Sequence, residues 1–236
     1  MAVITFSAFS SIVGALFGTR YVSNTPANGW KRLGYDEDKP FIGHYDGNNK
    51  AIKNLYIKNT SDDSYISLFG NVENSSITNL NCENVDIFGE DSVAALAGGA
   101  ENLIITNCHV SGKIVMNEGC CVGGLVGTGY ALTVTNCSST VDISSYYNPD
   151  YSAYIGALIG YTEDSSFKNC CSTDGIVSGT RYSGGLIGYA AYDCMIEDCE
   201  TKGMIVKGRV KNLFSIYKKL QNKVKTFDEV YDFFAI

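Results

Sequence analysis

Apolar and polar positions alternate through most of the chain with the two-residue period of β-strands, as in "SITNLNCENVDI" (76–87) and "LTVTNCSSTVDI" (132–143). Gly, Asn, Ser and Asp interrupt this alternation at short intervals, as turns between short strands require. Up to residue 208 no segment shows the helical period. The pattern therefore predicts an all-β protein built from many short strands.

A repeat organises these predicted strands. A Leu-x-Gly sequence occurs five times, and its leucines are separated by 28, 29, 33 and 28 residues. A cysteine follows each leucine after 12 to 14 residues; the pairs are Leu68 with Cys82, Leu96 with Cys108, Leu125 with Cys137, Leu158 with Cys170 and Leu186 with Cys199. One unit of this size cannot bury its own apolar face, whereas stacked units share a core. The spacing predicts a parallel β-solenoid (β-helix) of about five to seven coils.

Stacking places equivalent residues of successive coils in columns about 4.8 Å apart. The glycines beside the leucines are expected to supply a positive φ or a close approach of two backbones. The Asn-Cys pairs are expected to form a column of small buried side chains. We expect the five column cysteines to be reduced and structural, because parallel neighbours place their Cβ atoms too far apart for a relaxed disulfide. The other four cysteines, assigned to turns or outward positions, are Cys120, Cys121, Cys171 and Cys194.

The run "PFIGHYDGNNKAIKNLYIKN" (40–59), followed by "YISLFGNVENSSITNLNCENVDI" (65–87), "VGGLVG" (122–127) and "SGGLIG" (183–188), resembles the GLUG-motif repeat family. The resemblance covers residues 40 to about 208, with Asn49 in place of a usual glycine and "AALAGG" (94–99) lacking the leading glycines. It implies a β-helical, adhesin-like region of a bacterial surface or secreted protein, as in the N-terminal regions of some immunoglobulin-A-cleaving metallopeptidases. It brings no catalytic residues with it.

The two ends differ from the repeats. Residues 1–39 are interpreted as an N-terminal segment with a degenerate first coil, because "VGALFG" (13–18) copies "IGALIG" (155–160). Their apolar start lacks a preceding basic residue and is interrupted by Ser and Thr, so neither a signal peptide nor a transmembrane span is predicted. Residues 209–236 are predicted to form a short amphipathic α-helical cap on repeats 40–208, with one apolar face formed by Leu213, Ile216, Tyr217, Leu220 and Val224. The solenoid ends or this helix could also support self-association.

Charge and composition limit the partners. The formal net charge is −7, and because residues 209–236 are basic, residues 1–208 are more acidic still. An acidic body without a basic face argues against nucleic acid as a partner. The cysteine spacings match no known metal-ligand pattern, so no metal or cofactor is predicted.

Tyrosine supplies the candidate ligand-binding residues, with 16 copies in the chain. The longest repeat carries its extra length as "SSYYNPDYSAY" (144–154), and three tyrosines follow the Leu-x-Gly corner in successive coils. The predicted ligand-binding set is Tyr146, Tyr147, Asp150, Tyr151 and Tyr154, together with Tyr130, Tyr161 and Tyr189. Tyrosine offers contact area and a hydrogen-bonding hydroxyl at low entropic cost. The alternative is an aromatic column that only stabilises stacking.

The sequence thus favours a non-enzymatic surface or secreted binding module that recognises a glycan or a host or partner protein. One alternative is a carbohydrate-active enzyme, for which paired carboxylates such as Glu90-Asp91 and Glu163-Asp164 would be needed. The other is a structural stalk. The bacterial, extracellular location rests on the family resemblance alone.

Overall fold

The structure, a computed structural model, describes residues 29–34, 39–60, 63–146, 153–179 and 182–207, and the backbone of residues 210–212. All regular structure within these ranges is β-strand, which confirms the all-β prediction. The "VGALFG" sequence and the predicted cap from residue 213 onward lie outside the described residues. Among the described residues, no helix has the length and apolar character needed to cross a membrane.

The chain winds into about five turns. The strands of the early coils are long: β1 (His44–Lys53), β2 (Tyr56–Lys58), β3 (Asn71–Gly89), β4 (Ala97–Thr106) and β5 (His109–Met116). The next coil has β6 (Cys121–Gly123), β7 (Val126–Tyr130), β8 (Thr133–Thr135) and β9 (Ser138–Ser145). It is followed by β10 (Tyr154–Gly156), β11 (Ile159–Glu163), β12 (Ser166–Lys168), β13 (Cys171–Thr173) and β14 (Ile176–Ser178). The last strands are β15 (Tyr182–Gly184), β16 (Ile187–Ala191), β17 (Met195–Glu197), β18 (Glu200–Lys202), β19 (Ile205–Lys207) and β20 (Val210–Asn212).

These strands pair in parallel between coils. A short sheet has the order β20-β15-β10-β6, and a large sheet contains the path β16-β11-β7-β4-β3-β5-β9-β13-β18. The register aligns equivalent residues, since Thr133 pairs with Ile104 on one side and with Ser166 on the other. This arrangement is the predicted parallel β-solenoid. Because β20 continues the short sheet, the β-structure extends beyond residue 208, where we predicted the repeats to end.

The five Leu-x-Gly leucines form one buried column, with exposed fractions between 0 and 4%. The last glycines of four of these sequences explain the corner. A Cβ on Gly127 would lie 2.6 Å from the carbonyl oxygen of Gly98, and one on Gly160 would lie 2.7 Å from the nitrogen of Val122. Gly70 has a φ of 76°, whereas Gly98, Gly127, Gly160 and Gly188 are not among the residues with positive φ. The close approach of backbones is therefore the main reason for glycine here.

The asparagines of the Asn-Cys pairs occupy turns with left-handed backbone. The φ angles of Asn79, Asn107, Asn136 and Asn169 lie between 53° and 54°. Asparagine tolerates this conformation better than other non-glycine residues. The four asparagines lie at the surface or are half-buried, so the prediction of a buried Asn-Cys column is correct only for the cysteines.

Four of the five predicted column cysteines stack in the core, namely Cys108, Cys137, Cys170 and Cys199. Cys82 is buried but pairs with Val110, one inward position further along the strand. The reason is its longer distance from its leucine. Cys199 stays in the column because the last coil has one extra residue between the Glu163–Ala191 and Ser166–Met195 pairs.

The four remaining cysteines do not all lie outward. Cys121 and Cys194 are only 2% and 1% exposed, which corrects their assignment to turns or outward positions. Cys194 lies in an inward column, whereas Cys121 is covered within a corner described below. Cys120 and Cys171 are half-buried. All nine thiols are free in the structure.

Candidate ligand-binding site

Two outward-facing columns meet where the short sheet joins the large sheet. The first column contains Cys121, Tyr154 and Tyr182. The second contains Thr128, Tyr161 and Tyr189. Their side chains contact each other across the corner, so the solenoid surface is concave here. This geometry follows from the Leu-x-Gly glycines, which allow the two backbones to approach.

Five tyrosines fill one end of this concave surface, and we call them the tyrosine corner: Tyr130, Tyr154, Tyr161, Tyr182 and Tyr189. Along the first column the rings of Tyr154 and Tyr182 stack at 5.1 Å with planes 25° apart. Along the second, Tyr161 and Tyr189 stack at 5.7 Å with planes 5° apart. Such centroid distances are in the favourable range for aromatic pairs.

Contacts across the corner join the two stacks into one cluster. The ring centroid of Tyr154 lies 5.3 Å from that of Tyr161 and 5.0 Å from that of Tyr189. Tyr130 adds an edge-to-face contact with Tyr161 at 6.2 Å and is 45% exposed. The other four rings are half-buried. Part of each ring is therefore used in packing, and part remains at the surface.

One carboxylate belongs to the cluster. The hydroxyl of Tyr161 donates a hydrogen bond to Oε1 of Glu163. Burial raises the pKa of Tyr161, and the bond to Glu163 raises it further. Burial also raises the pKa values of Tyr130 and Tyr154. The three hydroxyls therefore stay protonated at neutral pH and can both donate and accept hydrogen bonds.

The structure brings together four of the predicted ligand-binding residues, Tyr130, Tyr154, Tyr161 and Tyr189. It adds Tyr182, which sequence analysis missed although it lies one repeat length after Tyr154. Tyr146 is 61% exposed at the end of β9 and has no ring contact with the corner among the described residues. Tyr147, Asp150 and Tyr151 lie outside the described residues.

The paired carboxylates considered for catalysis are engaged in turns. Asp91 accepts hydrogen bonds from the amide of Cys120 at 2.9 Å and from the hydroxyl of Ser64 at 3.3 Å. Asp164 is exposed in a turn with a φ of 47°. Within the described part of the chain, no group of three or more His, Cys, Asp or Glu side chains is placed to hold a metal ion.

A second concave region lies at the N-terminal end, where a cleft of about 320 Å³ is lined by Trp30, Arg32, Asn59, Asp63 and Ile66, among others. Its polar groups bond within the protein: the indole N–H of Trp30 donates to the carbonyl of Leu68 at 3.0 Å, and Arg32 lies 3.6 Å from Asp63. The tyrosine corner remains the better candidate site, because it concentrates surface aromatic rings.

The stacked parallel coils define the class of this protein, a β-solenoid repeat protein. Residues 118–144 match the family model of the GLUG motif, which confirms the resemblance found in the sequence. The chain is also similar to the crystal structure of a Bacteroides ovatus protein provisionally described as an immunoglobulin A1 protease, with a TM-score of 0.60 and 19% sequence identity. The match covers 78% of this chain and 62% of the other, and it shows a shared fold. Curated proteins gave no match.

Proposed function

We propose that this chain is a non-enzymatic binding module of a bacterial surface or secreted protein, and that the tyrosine corner contacts a glycan or a partner protein. The observation that carries the proposal is the gathering of five tyrosines on one concave surface of two neighbouring coils. Half-exposed tyrosine rings provide apolar area with a hydroxyl at the edge, which suits both sugars and protein surfaces.

The solenoid supports this role physically. Continuous parallel pairing fixes the two columns of the corner relative to each other, so little conformational freedom is lost on binding. The extracellular location is proposed from the GLUG motif and from the fold shared with the Bacteroides ovatus protein.

A structural stalk is the second candidate. The observation that favours it is the extensive contact of the tyrosine rings with one another, since the stacked pairs already cover much of each other's faces. On this hypothesis the cluster stabilises the stacking of coils and recognises nothing.

Retention of the chain on immobilised plant polysaccharides and mucin separates the two hypotheses. We expect Tyr130→Ala and Tyr154→Phe to weaken retention at least about tenfold, as expected for central binding residues. Tyr192→Ala is the matched control, because Tyr192 is 66% exposed and has no ring contact with the corner among the described residues. Urea midpoints measured in parallel identify variants that merely unfold.

Retention of the wild-type chain that is lost in the corner variants and kept in Tyr192→Ala would support the binding module. Retention that survives all three substitutions would show that the corner is not the binding surface. Absence of retention on every support, combined with lower urea midpoints for the corner variants alone, would favour the stalk.

We also propose that residues 213–236 cover the last coil. Ile196 and Val206 are only partly buried, whereas the equivalent Phe167 and Val177 of the preceding coil are at most 1% exposed. The same coil exposes Asp193, Glu197, Asp198 and Glu200. The tail offers apolar residues for the uncovered core and lysines for the acidic surface. A second copy of the chain is the alternative cover.

A further inference from the structure

Two neighbouring thiols lie beside the tyrosine corner, at the start of β6. Cys121 is buried, while Cys120 is half-buried and reachable from solvent. The backbone of Cys120 is fixed on both sides: its amide donates to Asp91 at 2.9 Å, and its carbonyl accepts the amide of Tyr154 at 2.6 Å. The position of the Cys120 sulfur is therefore well determined by the fold.

Hydrogen-bond donors face this sulfur. The thiol of Cys121 donates to Cys120, and the hydroxyl of Ser92 lies 3.9 Å from its Sγ. The bond from Cys121 lowers the pKa of Cys120, while burial and the charge of Asp91 oppose this effect. Donors aimed at a sulfur stabilise the thiolate, which is the reactive form of cysteine.

The other cysteines lack this combination of access and donors. Seven of the nine are buried. Cys171 is half-buried like Cys120, but it pairs with Glu200 in the next coil. Burial raises the pKa of Cys171, and the negative charge of Glu200 raises it further. Cys171 is thus a natural internal comparison, with similar access but an unfavourable electrostatic environment.

We propose that Cys120 is a thiol-exchange site that takes low-molecular-weight disulfides as its substrates. The Cys120 thiol first loses its proton to water. The thiolate then attacks one sulfur of the small disulfide, a new S–S bond forms to Cys120, and the original S–S bond breaks. The departing thiolate keeps the electron pair of that bond and takes up a proton from water, so no further oxidant is needed.

The product would place the transferred group at the tyrosine corner. Cys121, the neighbour of Cys120, pairs with Tyr154 in the short sheet. A negative charge on Cys120 raises the pKa values of both Tyr130 and Tyr154, which shows that all three side chains are close. The exchange reaction nevertheless stands on the thiol geometry, and it does not depend on what the corner binds.

The test is the reaction of the reduced full chain with 4,4′-dithiodipyridine, a neutral disulfide whose released thiol absorbs light. At pH 6.5 we expect one thiol to react at least about tenfold faster than any other, in line with thiolate control of the rate. The fast phase should disappear in Cys120→Ser and persist in Cys171→Ser. Ser92→Ala should slow it, since one donor is removed. Intact mass after oxidised glutathione should show one adduct, located on the peptide that contains Cys120.

Each alternative result would overturn the proposal. A fast phase that survives in Cys120→Ser, or that disappears in Cys171→Ser, would assign the reactivity to another thiol. Nine thiols reacting in one slow phase would show that Cys120 has no special reactivity. Urea midpoints of the serine variants establish that each remains folded, so that loss of the fast phase reports on the sulfur itself.

Discussion

The side-chain amide of Asn136 donates a hydrogen bond to Oδ1 of Asn107 at 3.2 Å, and both residues have a φ close to 53°. The same bond joins Asn107 to Asn79 at 3.1 Å and Asn169 to Asn136 at 3.2 Å, and Asp46 begins the series by accepting from Asn79 at 3.0 Å. Asparagine thus does two things in each coil: it adopts the left-handed turn, and it links that turn to the next coil.

Substitutions at Asn107 should separate these two contributions. Asn107→Gly keeps the left-handed turn but loses the side-chain bonds to both neighbours, so we expect a loss of about 1 kcal/mol in the free energy of unfolding. Asn107→Ala also places a Cβ residue in the left-handed region, which should add about 1 kcal/mol to the loss. Urea unfolding of the three proteins measures both differences. Equal stability of the two variants would contradict the backbone contribution.

Gly127→Ala should destabilise the fold by about 2–3 kcal/mol, because its Cβ would collide with backbone atoms that cannot move independently. The new atom would lie 2.6 Å from the carbonyl oxygen of Gly98 and 2.8 Å from the carbonyl carbon of Ser92. Gly43→Ala is the control, since its Cβ would meet only the side chain of Phe41 at 3.6 Å. Its urea midpoint should stay within about 0.5 kcal/mol of wild type. A control as damaged as Gly127→Ala would refute the argument from close approach.

Stability should fall as the pH rises above about 8.5, the ordinary pKa of a cysteine. Burial raises the pKa of Cys82 far above that value, so the folded protein keeps its thiol proton while the unfolded chain releases it. The unfolded state therefore gains at alkaline pH, and the contribution of this proton, fully present below pH 8.5, is lost at about 1.4 kcal/mol per pH unit.

The variant Cys82→Val isolates this effect, because Cys82 lies in a column between Ile52 and Val110, where an apolar side chain fits. Urea unfolding at pH 7, 9 and 10 under reducing conditions should show a shallower pH dependence for the variant, by about one proton. Identical slopes for the two proteins would mean that the Cys82 thiol titrates normally in the folded state.

Truncation after residue 212 tests the proposed cover of the last coil. We expect the shortened chain to self-associate, because Ile196, Val206 and the free edges of β16 to β19 would lack a partner. Sedimentation of the full and the shortened chains at equal concentration measures the difference. A shortened chain that remains monomeric with an unchanged urea midpoint would show that residues 213–236 do not protect this end.

The repeat could be predicted from sequence because its signals are local. Alternation of apolar residues, the Leu-x-Gly spacing and the Asn-Cys pairs each report on one coil, and the parallel register then follows. The column of Cys82 could not be predicted in the same way. A shift of two residues keeps a side chain pointing inward, so the pattern looks unchanged although the neighbours differ.

The site was harder to predict than the fold because it depends on a contact between two different columns. Tyr154 and Tyr189 are 35 positions apart, and they meet only because the glycine corner folds one sheet against the other. The sequence indicated which residues stack within a column. It gave no measure of the angle between columns, which is why Tyr182 was missed and Tyr146 was included.

The uniform parallel register has a consequence for how such a protein could change in length. Since every coil offers its neighbour the same kind of contact, a whole coil of 28 or 29 residues could be inserted or deleted without creating a new type of junction. Each such event would move the two ends apart or together by about 4.8 Å. Gene duplication acting on this fold would therefore adjust reach in small, equal steps, while the corner on each coil keeps its shape.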